Sequence, residues 1–158
     1  MPDRNGPERS VRVWFRLIRL EARMQAAIGD RLRRIGVSIP QCDVLTTLSE
    51  AEGVSQQELA QRLYVTKGNI SGLLDRLETA GFVERRASAS DRRQHSIYLT
   101  DKGRAVAEKA IAVQMKWIAS TLGRMSEADL EALEMQLVAL RDIVRAQERP
   151  PGAKATGG

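Results

Sequence analysis

The chain is 158 residues long and carries a formal net charge of +5 at pH 7, with 42% hydrophobic but only 4% aromatic residues. This length is typical of one domain, and a core that must consist of aliphatic residues favours helices. One cysteine excludes an internal disulfide and multi-cysteine zinc sites, and one histidine excludes histidine-based metal clusters. We expect no metal, no cofactor and no membrane contact, and a cytoplasmic protein, because no apolar run reaches membrane-spanning length and 1–12 lacks a signal segment.

The N-terminal region combines a polar arm with an apolar helix. Residues 1–10 are polar and contain arginine, and we expect them to form a flexible basic arm. Residues 11–36 carry two overlapping apolar stripes at helical spacing, which predict a helix that is covered from both sides. We assign Phe15 and Ile18 on one stripe to dimerisation, because a domain of this size cannot easily cover both stripes itself. Packing within one chain is the alternative.

Two short capped helices follow in the middle of the chain. Ser55 and Glu58 have the spacing of a capping box at the start of a helix of barely two turns. Thr66 is a suitable N-cap for a second helix that runs to Ala80, and Gly81 can end that helix in a left-handed conformation. Two helices joined by a three-residue turn predict a helix-turn-helix unit, whose second helix fits the major groove of DNA.

The second helix of this unit has one apolar face and one face suited to DNA. Two glycines stand opposite the apolar residues and cost about 1 kcal/mol each relative to alanine. They would allow close approach of the helix backbone to DNA or, alternatively, tight contact with a neighbouring helix. Asn69 and Ser71 suit base edges, Lys67 suits a phosphate, and Arg76 suits either a DNA contact or a bracing ion pair. The DNA-contacting residues predicted in this unit are Gln56, Gln57, Lys67, Gly68, Asn69, Ser71, Gly72 and Arg76.

A two-stranded hairpin is predicted after the second helix. Residues 82–86 and 95–99 are short β-prone runs, and the polar residues between them should form an exposed tip. Four arginines stand against one aspartate within 85–93, a concentration of positive charge that suits a phosphate-rich partner. Arg92 and Arg93 at the tip suit a narrow minor groove.

The C-terminal region, 104–147, is predicted to contain further dimerisation helices, and the tail at 148–158 is predicted to be disordered. Residues 37–103 then form a winged helix-turn-helix domain between the N- and C-terminal dimerisation helices. The predicted fold class is therefore mainly α with a small β-wing. Leucines with alternating spacings of three and four predict a coiled-coil-like seam. The seam residues assigned to dimerisation are Leu130, Leu133, Leu137 and Leu140.

The spacing of residues across the helix-turn-helix and hairpin resembles that of the MarR family of winged-helix regulators. The element from Asp91 to Thr100, Asp-x-Arg-x-x-x-(Ile/Val)-x-Leu-Thr, is the most diagnostic part, and the resemblance extends from about Val11 to Arg145. It implies a homodimeric transcription regulator that binds a pseudo-palindromic operator in double-stranded DNA, usually as a repressor released by a small aromatic or phenolic ligand. It also implies that Arg93 inserts into the minor groove and that Asp91 supports the wing. Further matching residues are Asn69, Ile70, Gly72, Leu77, Glu78, Gly81, Phe82, Val83, Arg92 and Gly103.

The same resemblance places a ligand between the dimer helices and the winged domain. Trp14, Arg16, Cys42 and His95 are the loose candidates for such a site, with core packing, solvation or an inert buried thiol as alternatives. A redox-responsive regulator acting through Cys42, or a winged-helix module that binds protein, remains an alternative function. An enzyme is not expected, because the sequence contains no clustered acid, base and nucleophile.

Overall fold

The computed structural model describes residues 6–87 and 95–148, and the predicted wing residues Asp91, Arg92 and Arg93 lie outside these ranges. The described chain is mainly helical with one small antiparallel sheet, which confirms the predicted fold class. The elements are α1 (Pro7–Arg33), α2 (Ile39–Glu50), β1 (Val54–Ser55), α3 (Gln56–Arg62), α4 (Lys67–Thr79), β2 (Val83–Ala87), β3 (His95–Leu99), α5 (Asp101–Ser120), a 3₁₀ helix (Leu122–Arg124) and α6 (Glu127–Glu148).

The chain divides into two compact units, residues 1–116 and 117–158. The first unit contains the helix-turn-helix, the sheet and most of α5, and it holds the hydrophobic core. Leu45 and Leu48 of α2 are fully buried together with Leu74 of α4 and Ile97 of β3. This aliphatic core fixes α4 against the rest of the unit, so that the opposite face of α4 is presented outward.

The N-terminal helix begins earlier than the sequence pattern predicts. Pro7 stands in the first turn of α1, where its missing N–H costs no hydrogen bond, so residues 7–10 of the predicted arm are helical. Over its first half the helix is almost entirely exposed, with Phe15 at 51% and Ile18 at 44% of their full exposure. Both predicted dimerisation residues on α1 are therefore accessible in the described chain.

Serine caps the starts of α2 and α3, and the cap of α3 differs in part from the prediction. Ser38 and Gln41 form a reciprocal capping box at α2: the Ser38 Oγ accepts from the Gln41 N–H at 3.4 Å, and the Gln41 side chain accepts from the Ser38 N–H at 2.9 Å. At α3, the Ser55 Oγ accepts from the Glu58 N–H at 3.1 Å. The predicted return bond from Glu58 is wrong, because that carboxylate pairs instead with Arg62 at 2.6 Å.

The sheet contains a third strand, which no pattern in the sequence predicts. Its order is β1-β3-β2, with all neighbours antiparallel. Val54 of β1 pairs with Ile97, and Val83 of β2 pairs with Leu99. Ile97 and Leu99 alternate along β3 and are both buried, so this face of the strand packs into the core. The short β1 connects the wing to the segment immediately before α3.

The junction between the wing and α5 is a tight cluster of backbone contacts. The Thr100 hydroxyl donates to the Gly81 carbonyl at 2.6 Å and accepts from the Gly103 N–H at 3.0 Å. The Thr100 N–H donates to the Phe82 carbonyl at 3.1 Å. Gly81 takes a φ of +74°, as predicted for the residue after α4, and Gly103 lies directly against the Phe82 carbonyl. These contacts explain why the family pattern has these residue types at four positions, Gly81, Phe82, Thr100 and Gly103.

The second unit contains the end of α5, the 3₁₀ helix and α6. Ser126 caps α6, since its Oγ accepts from the Asp129 N–H at 3.2 Å. In the predicted seam, Leu133, Leu137 and Leu140 are 36%, 48% and 42% exposed and Leu130 is partly buried. Among the described helices of both units, none has the length and apolar character needed to cross a lipid bilayer.

Candidate nucleic-acid interface

The turn between α3 and α4 sets the direction of the second helix. The Val65 N–H donates to the Ala60 carbonyl at 3.0 Å, and Tyr64 takes a left-handed φ of 54°, which is uncommon for a bulky residue. The Thr66 Oγ1 accepts from the Asn69 N–H at 3.2 Å, which confirms the predicted cap of α4. The helix therefore begins at Lys67 with its free N–H groups and the positive end of its dipole at the surface.

The outward face of α4 carries a strip without side chains. Ile70, Leu74 and Leu77 bury the inner face, and a spacing of about 100° per residue puts Gly68 and Gly72 on the opposite side. A Cβ added at either glycine would meet no atom within 4 Å. The alternative of tight contact with a neighbouring helix is therefore wrong for the described chain, and the strip is open to an incoming partner.

Polar side chains flank this strip on both sides. By the same helical spacing, Asn69 and Arg76 lie on one side of the two glycines, whereas Lys67 and Ser71 lie on the other. Arg76 is exposed and has no ion pair within the described part of the chain, and its neighbour Asp75 pairs with Arg85. We call the open depression along this strip, of about 400 Å³, the glycine groove. It is lined by Pro40, Val65, Gly68, Asn69, Gly72, Leu73 and Arg76.

An ion-pair cluster, here called the Arg85 brace, connects the wing to α4. The Arg85 guanidinium on β2 donates to Asp75 at 2.6 Å and also to Glu78, and both carboxylates belong to α4. Burial lowers the pKa of Arg85, but the hydrogen bonds from Asp75 and Glu78 raise it, and the net pKa lies above its ordinary value. The side chain thus keeps its charge and holds the wing strand at a fixed place beside the second helix.

The wing presents less free positive charge than its sequence predicts. Arg85 is engaged in the brace, and Arg86 pairs with Glu84 on the same strand while its guanidinium stacks 4.3 Å from the centre of the Tyr98 ring. Two of the four arginines counted in this hairpin are therefore neutralised within the chain. The expected excess of positive charge on the wing therefore depends on Arg92 and Arg93.

Replacing Arg85 with methionine should lower the free energy of unfolding by about 1 kcal/mol, because partly exposed ion pairs contribute a few tenths to 1 kcal/mol each. It should also weaken DNA binding, because two unpaired carboxylates would remain beside the interface. Urea denaturation measures the first effect. The same substitution in an Asp75→Asn, Glu78→Gln background is the control, and an equal loss of stability in both backgrounds would show that no brace exists.

The outer edge of α3 forms a second depression beside the start of α4. Two of the predicted DNA-contacting residues lie on α3: Gln57 is exposed and Gln56 is partly buried. Tyr64 is 84% exposed at the same edge, and sequence reasoning missed it although an aromatic residue in the helix–helix turn was an available signal. This depression has a volume of about 510 Å³ and is lined by Gln57, Ala60, Gln61, Tyr64, Val65 and Lys67.

The four ligand candidates lie in different surroundings. Cys42 is fully buried in the core, and His95 is exposed at the start of β3. Trp14 and Arg16 are both exposed, but two residues along a helix correspond to about 200°, so they lie on opposite sides of α1. Neither of the two depressions above includes any of the four. In residues 6–87 and 95–148, no group of three or more His, Cys, Asp or Glu side chains could hold a metal ion.

The Cys42 thiol should be inert in the folded protein. Burial, and to a smaller extent the charge of Asp43, raises the pKa of Cys42 from 9.0 to about 11. Because folding favours the protonated thiol, its contribution to stability is complete below pH 9 and is lost as the pH rises towards 11. Mass spectrometry after mild peroxide at neutral pH should find no adduct, whereas urea-unfolded protein should react; an adduct on folded protein would restore the redox alternative.

Comparison with known proteins supports one class. A profile of the MarR family matches residues 35–94. The HTH-type transcriptional regulator TtmR of Methylorubrum extorquens strain PA1 is 39% identical over 114 residues, or 70% of this chain and 56% of TtmR. The HTH-type transcriptional regulator PrsX of Escherichia coli is 33% identical over 120 residues, or 75% of this chain and 72% of PrsX. The transcriptional repressor CouR, solved with a 23-mer DNA duplex, has a TM-score of 0.75 and 27% identity, covering 89% of this chain and 99% of CouR.

The fold and the similarities define a winged helix-turn-helix transcriptional regulator. The chain belongs to the MarR family. This assignment confirms the resemblance drawn from the motif that ends at Thr100. It also confirms the prediction of a regulator rather than an enzyme, since the family and these relatives are transcriptional regulators.

Proposed function

We propose that the chain acts as a homodimer on a pseudo-palindromic operator, with α4 in the major groove and the wing arginines Arg92 and Arg93 in the minor groove. As the family resemblance implies, it is a repressor that a small aromatic or phenolic effector releases from DNA. Trp14, Arg16 and His95 remain the candidate contacts for that effector. The buried Cys42 can contribute only to the wall of such a site.

The outward face of α4 is the observation that carries this proposal. A side-chain-free strip at Gly68 and Gly72 lets the helix backbone approach a groove closely, and the flanking side chains differ in chemistry. Asn69 can form two hydrogen bonds with an adenine edge, through the oxygen and the NH2 of its side-chain amide, and Arg76 can form two with guanine. Because they stand seven residues apart, about 10 Å along the helix, they would contact bases about three steps apart.

Dimerisation is supported by apolar side chains that the chain leaves exposed. Phe15 and Ile18 on α1, and Leu133 and Leu137 on α6, are each more than one third exposed. Such large apolar residues are costly to leave in water when they recur along one helix face. A symmetric dimer would place its two α4 helices about 34 Å apart, which is one turn of B-DNA.

The alternative of a protein-binding module is less well supported by this surface. A protein-binding face is typically rich in aromatic residues at its centre and poor in charge. Here the outward face of α4 offers the exposed Lys67, Asn69 and Arg76 and the partly buried Ser71 around the two glycines. CouR, a relative of the same fold, was solved with a DNA duplex, which also favours a nucleic-acid partner.

The proposal is tested by footprinting the DNA upstream of the chain's own reading frame with purified protein. We expect protection of two inverted half-sites with centres about 10 bp apart, and a sedimentation mass of two chains on one duplex. Protection of a single half-site by one chain would contradict the dimer. Indifference to all duplexes at low salt would contradict DNA binding.

Arg93→Ala should weaken operator binding while leaving the melting temperature and the dimer unchanged. An arginine in a narrow minor groove is attracted by the strong negative potential there, and its removal should cost about 1 to 3 kcal/mol of binding free energy. Fluorescence anisotropy at moderate salt measures this effect. Lys109→Ala, an exposed charge on α5, is the control, and unchanged affinity for Arg93→Ala would remove the wing as an anchor.

A further inference from the structure

The first two thirds of α1 carry an unbroken row of arginines that the proposed operator contacts do not use. Its members are three or four residues apart, so at 100° per residue they fall within a sector of about 80°. All five are exposed. We call this row the arginine ridge, and it consists of Arg9, Arg12, Arg16, Arg19 and Arg23.

Carboxylates of the described residues leave the ridge unpaired. Glu8 lies one turn before Arg12 at the N-terminal edge of the ridge but forms no ion pair with it, and Glu21 lies on the other side of the helix. Within the described residues none of the five guanidinium groups forms an ion pair, and Arg19 only approaches the Phe15 ring at 5.8 Å. Arginines elsewhere in the described chain are commonly paired. Those with a carboxylate partner are Arg33, Arg62, Arg85, Arg86, Arg104 and Arg141.

The position of the ridge also indicates what kind of partner it fits. Apolar residues lie along both of its sides, with Phe15 and Ile18 on one side and Val13 and Leu20 on the other. If dimerisation covers those apolar residues, the ridge is left as a narrow cationic surface, with Glu8 as the one carboxylate at its edge among the described residues of α1. A lipid surface requires the apolar residues as well as the charges, because interfacial helices bury their apolar face. A partner that offers only negative charge does not require the apolar residues.

We propose that the arginine ridge binds the phosphate backbone of duplex DNA as a second contact surface, additional to the winged helix. Five guanidinium groups extend over about 21 Å of helix, and one DNA strand presents a phosphate every 3.4 Å along that length. Guanidinium groups hold phosphate through two parallel hydrogen bonds, which favours arginine over lysine at such a site. The inference extends the proposed DNA binding and rests on it only for the choice of partner.

The test compares the full chain with Arg12→Gln/Arg16→Gln/Arg19→Gln, since glutamine removes charge but keeps helix propensity. The matched control, Lys109→Gln/Lys116→Gln/Arg124→Gln, removes the same charge from three other exposed positions. A labelled random-sequence duplex of about 30 bp is titrated from about 50 to 200 mM salt. Because each phosphate that is no longer neutralised reduces the slope of log K against log salt by about 0.9, the slope of the ridge variant should fall by about 2 to 3.

An unchanged slope for the ridge variant, or an equal reduction in the control, would overturn the inference. So would a ridge variant that keeps its duplex slope but no longer binds phosphatidylserine vesicles, because the partner would then be a lipid surface. Circular dichroism and sedimentation of each variant exclude a loss of helix or dimer as the cause. The two proposals fail separately. A full chain with no preference for its operator over random DNA would count against the proposed function, and the ridge slope would still be measured.

Discussion

Gly103→Ala should destabilise the first unit severely, by about 3 kcal/mol or more, which corresponds to a fall in melting temperature of about 10 °C. A Cβ at this position would lie 2.7 Å from the carbonyl carbon of Phe82 and closer still to its oxygen. That oxygen already accepts a hydrogen bond from the Thr100 N–H at 3.1 Å. Since the clash is with backbone and not with the end of a flexible side chain, relief requires α5 to move away from the wing.

Thermal denaturation followed by circular dichroism measures this effect, and Gly68→Ala is the matched control. Both substitutions add one methyl group to a helical glycine and reduce the freedom of the unfolded chain equally. At Gly68 the new methyl group meets no atom within 4 Å, so the control should gain up to about 1 kcal/mol from helix propensity. Gly103→Ala that melts at or above the temperature of the unaltered chain would disprove the close approach.

Local signals in the sequence predicted the helix-turn-helix well. Thr66 at the start of α4 and Gly81 after its end are recognisable because capping depends on residues three or four positions away. The apolar spacing of α4 identified its buried face for the same reason. The Ser38 and Gln41 box at α2 is an equally local signal that was available and was not used. Elements whose cause lies within one helical turn can therefore be predicted from sequence.

The features that sequence reasoning missed depend on residues that are distant in the chain. Strand β1 has only two residues, too few for a periodic pattern, and it forms because Val54 meets Ile97. The Arg85 brace joins residues seven and ten positions apart across two elements, so Arg85 was counted as free positive charge. Glu58 had two possible partners, and only the structure shows that it pairs with Arg62.

The candidate interface was likewise predicted only in part. The sequence identified the polar residues around Gly68 and Gly72 but left two explanations for the glycines. Close approach to DNA and tight contact with a neighbouring helix both require a helix face without side chains. The space around a hypothetical Cβ decides between them, and that space is a property of the packed chain. The wing residues Arg92 and Arg93 stay predictions, since they lie outside the described ranges.

Gly72→Leu should raise stability and abolish operator binding, a combination that distinguishes an interface glycine from a structural one. Leucine is a better helix former than glycine by about 0.8 kcal/mol, and a Cβ at Gly72 meets nothing within 4 Å, so folding should benefit. The added side chain would fill the glycine groove and hold α4 away from the floor of the major groove. Asn69 and Arg76 on the flank would then be withdrawn from base edges, and each of these two side chains contributes about 1 to 3 kcal/mol when it pairs with its base.

The two readouts are melting temperature and anisotropy with the footprinted operator, and Ala105→Leu is the control because it adds an exposed leucine on α5, away from α4. We expect the affinity of Gly72→Leu to fall at least about a hundredfold, since 1.4 kcal/mol corresponds to a factor of ten. The control should bind normally. Should Gly72→Leu bind the operator as tightly as the unaltered chain, the strip at Gly68 and Gly72 does not face DNA, and another surface must be sought. A lower melting temperature of Gly72→Leu would mean instead that Gly72 is needed for folding, because the added side chain would then clash with a neighbouring residue.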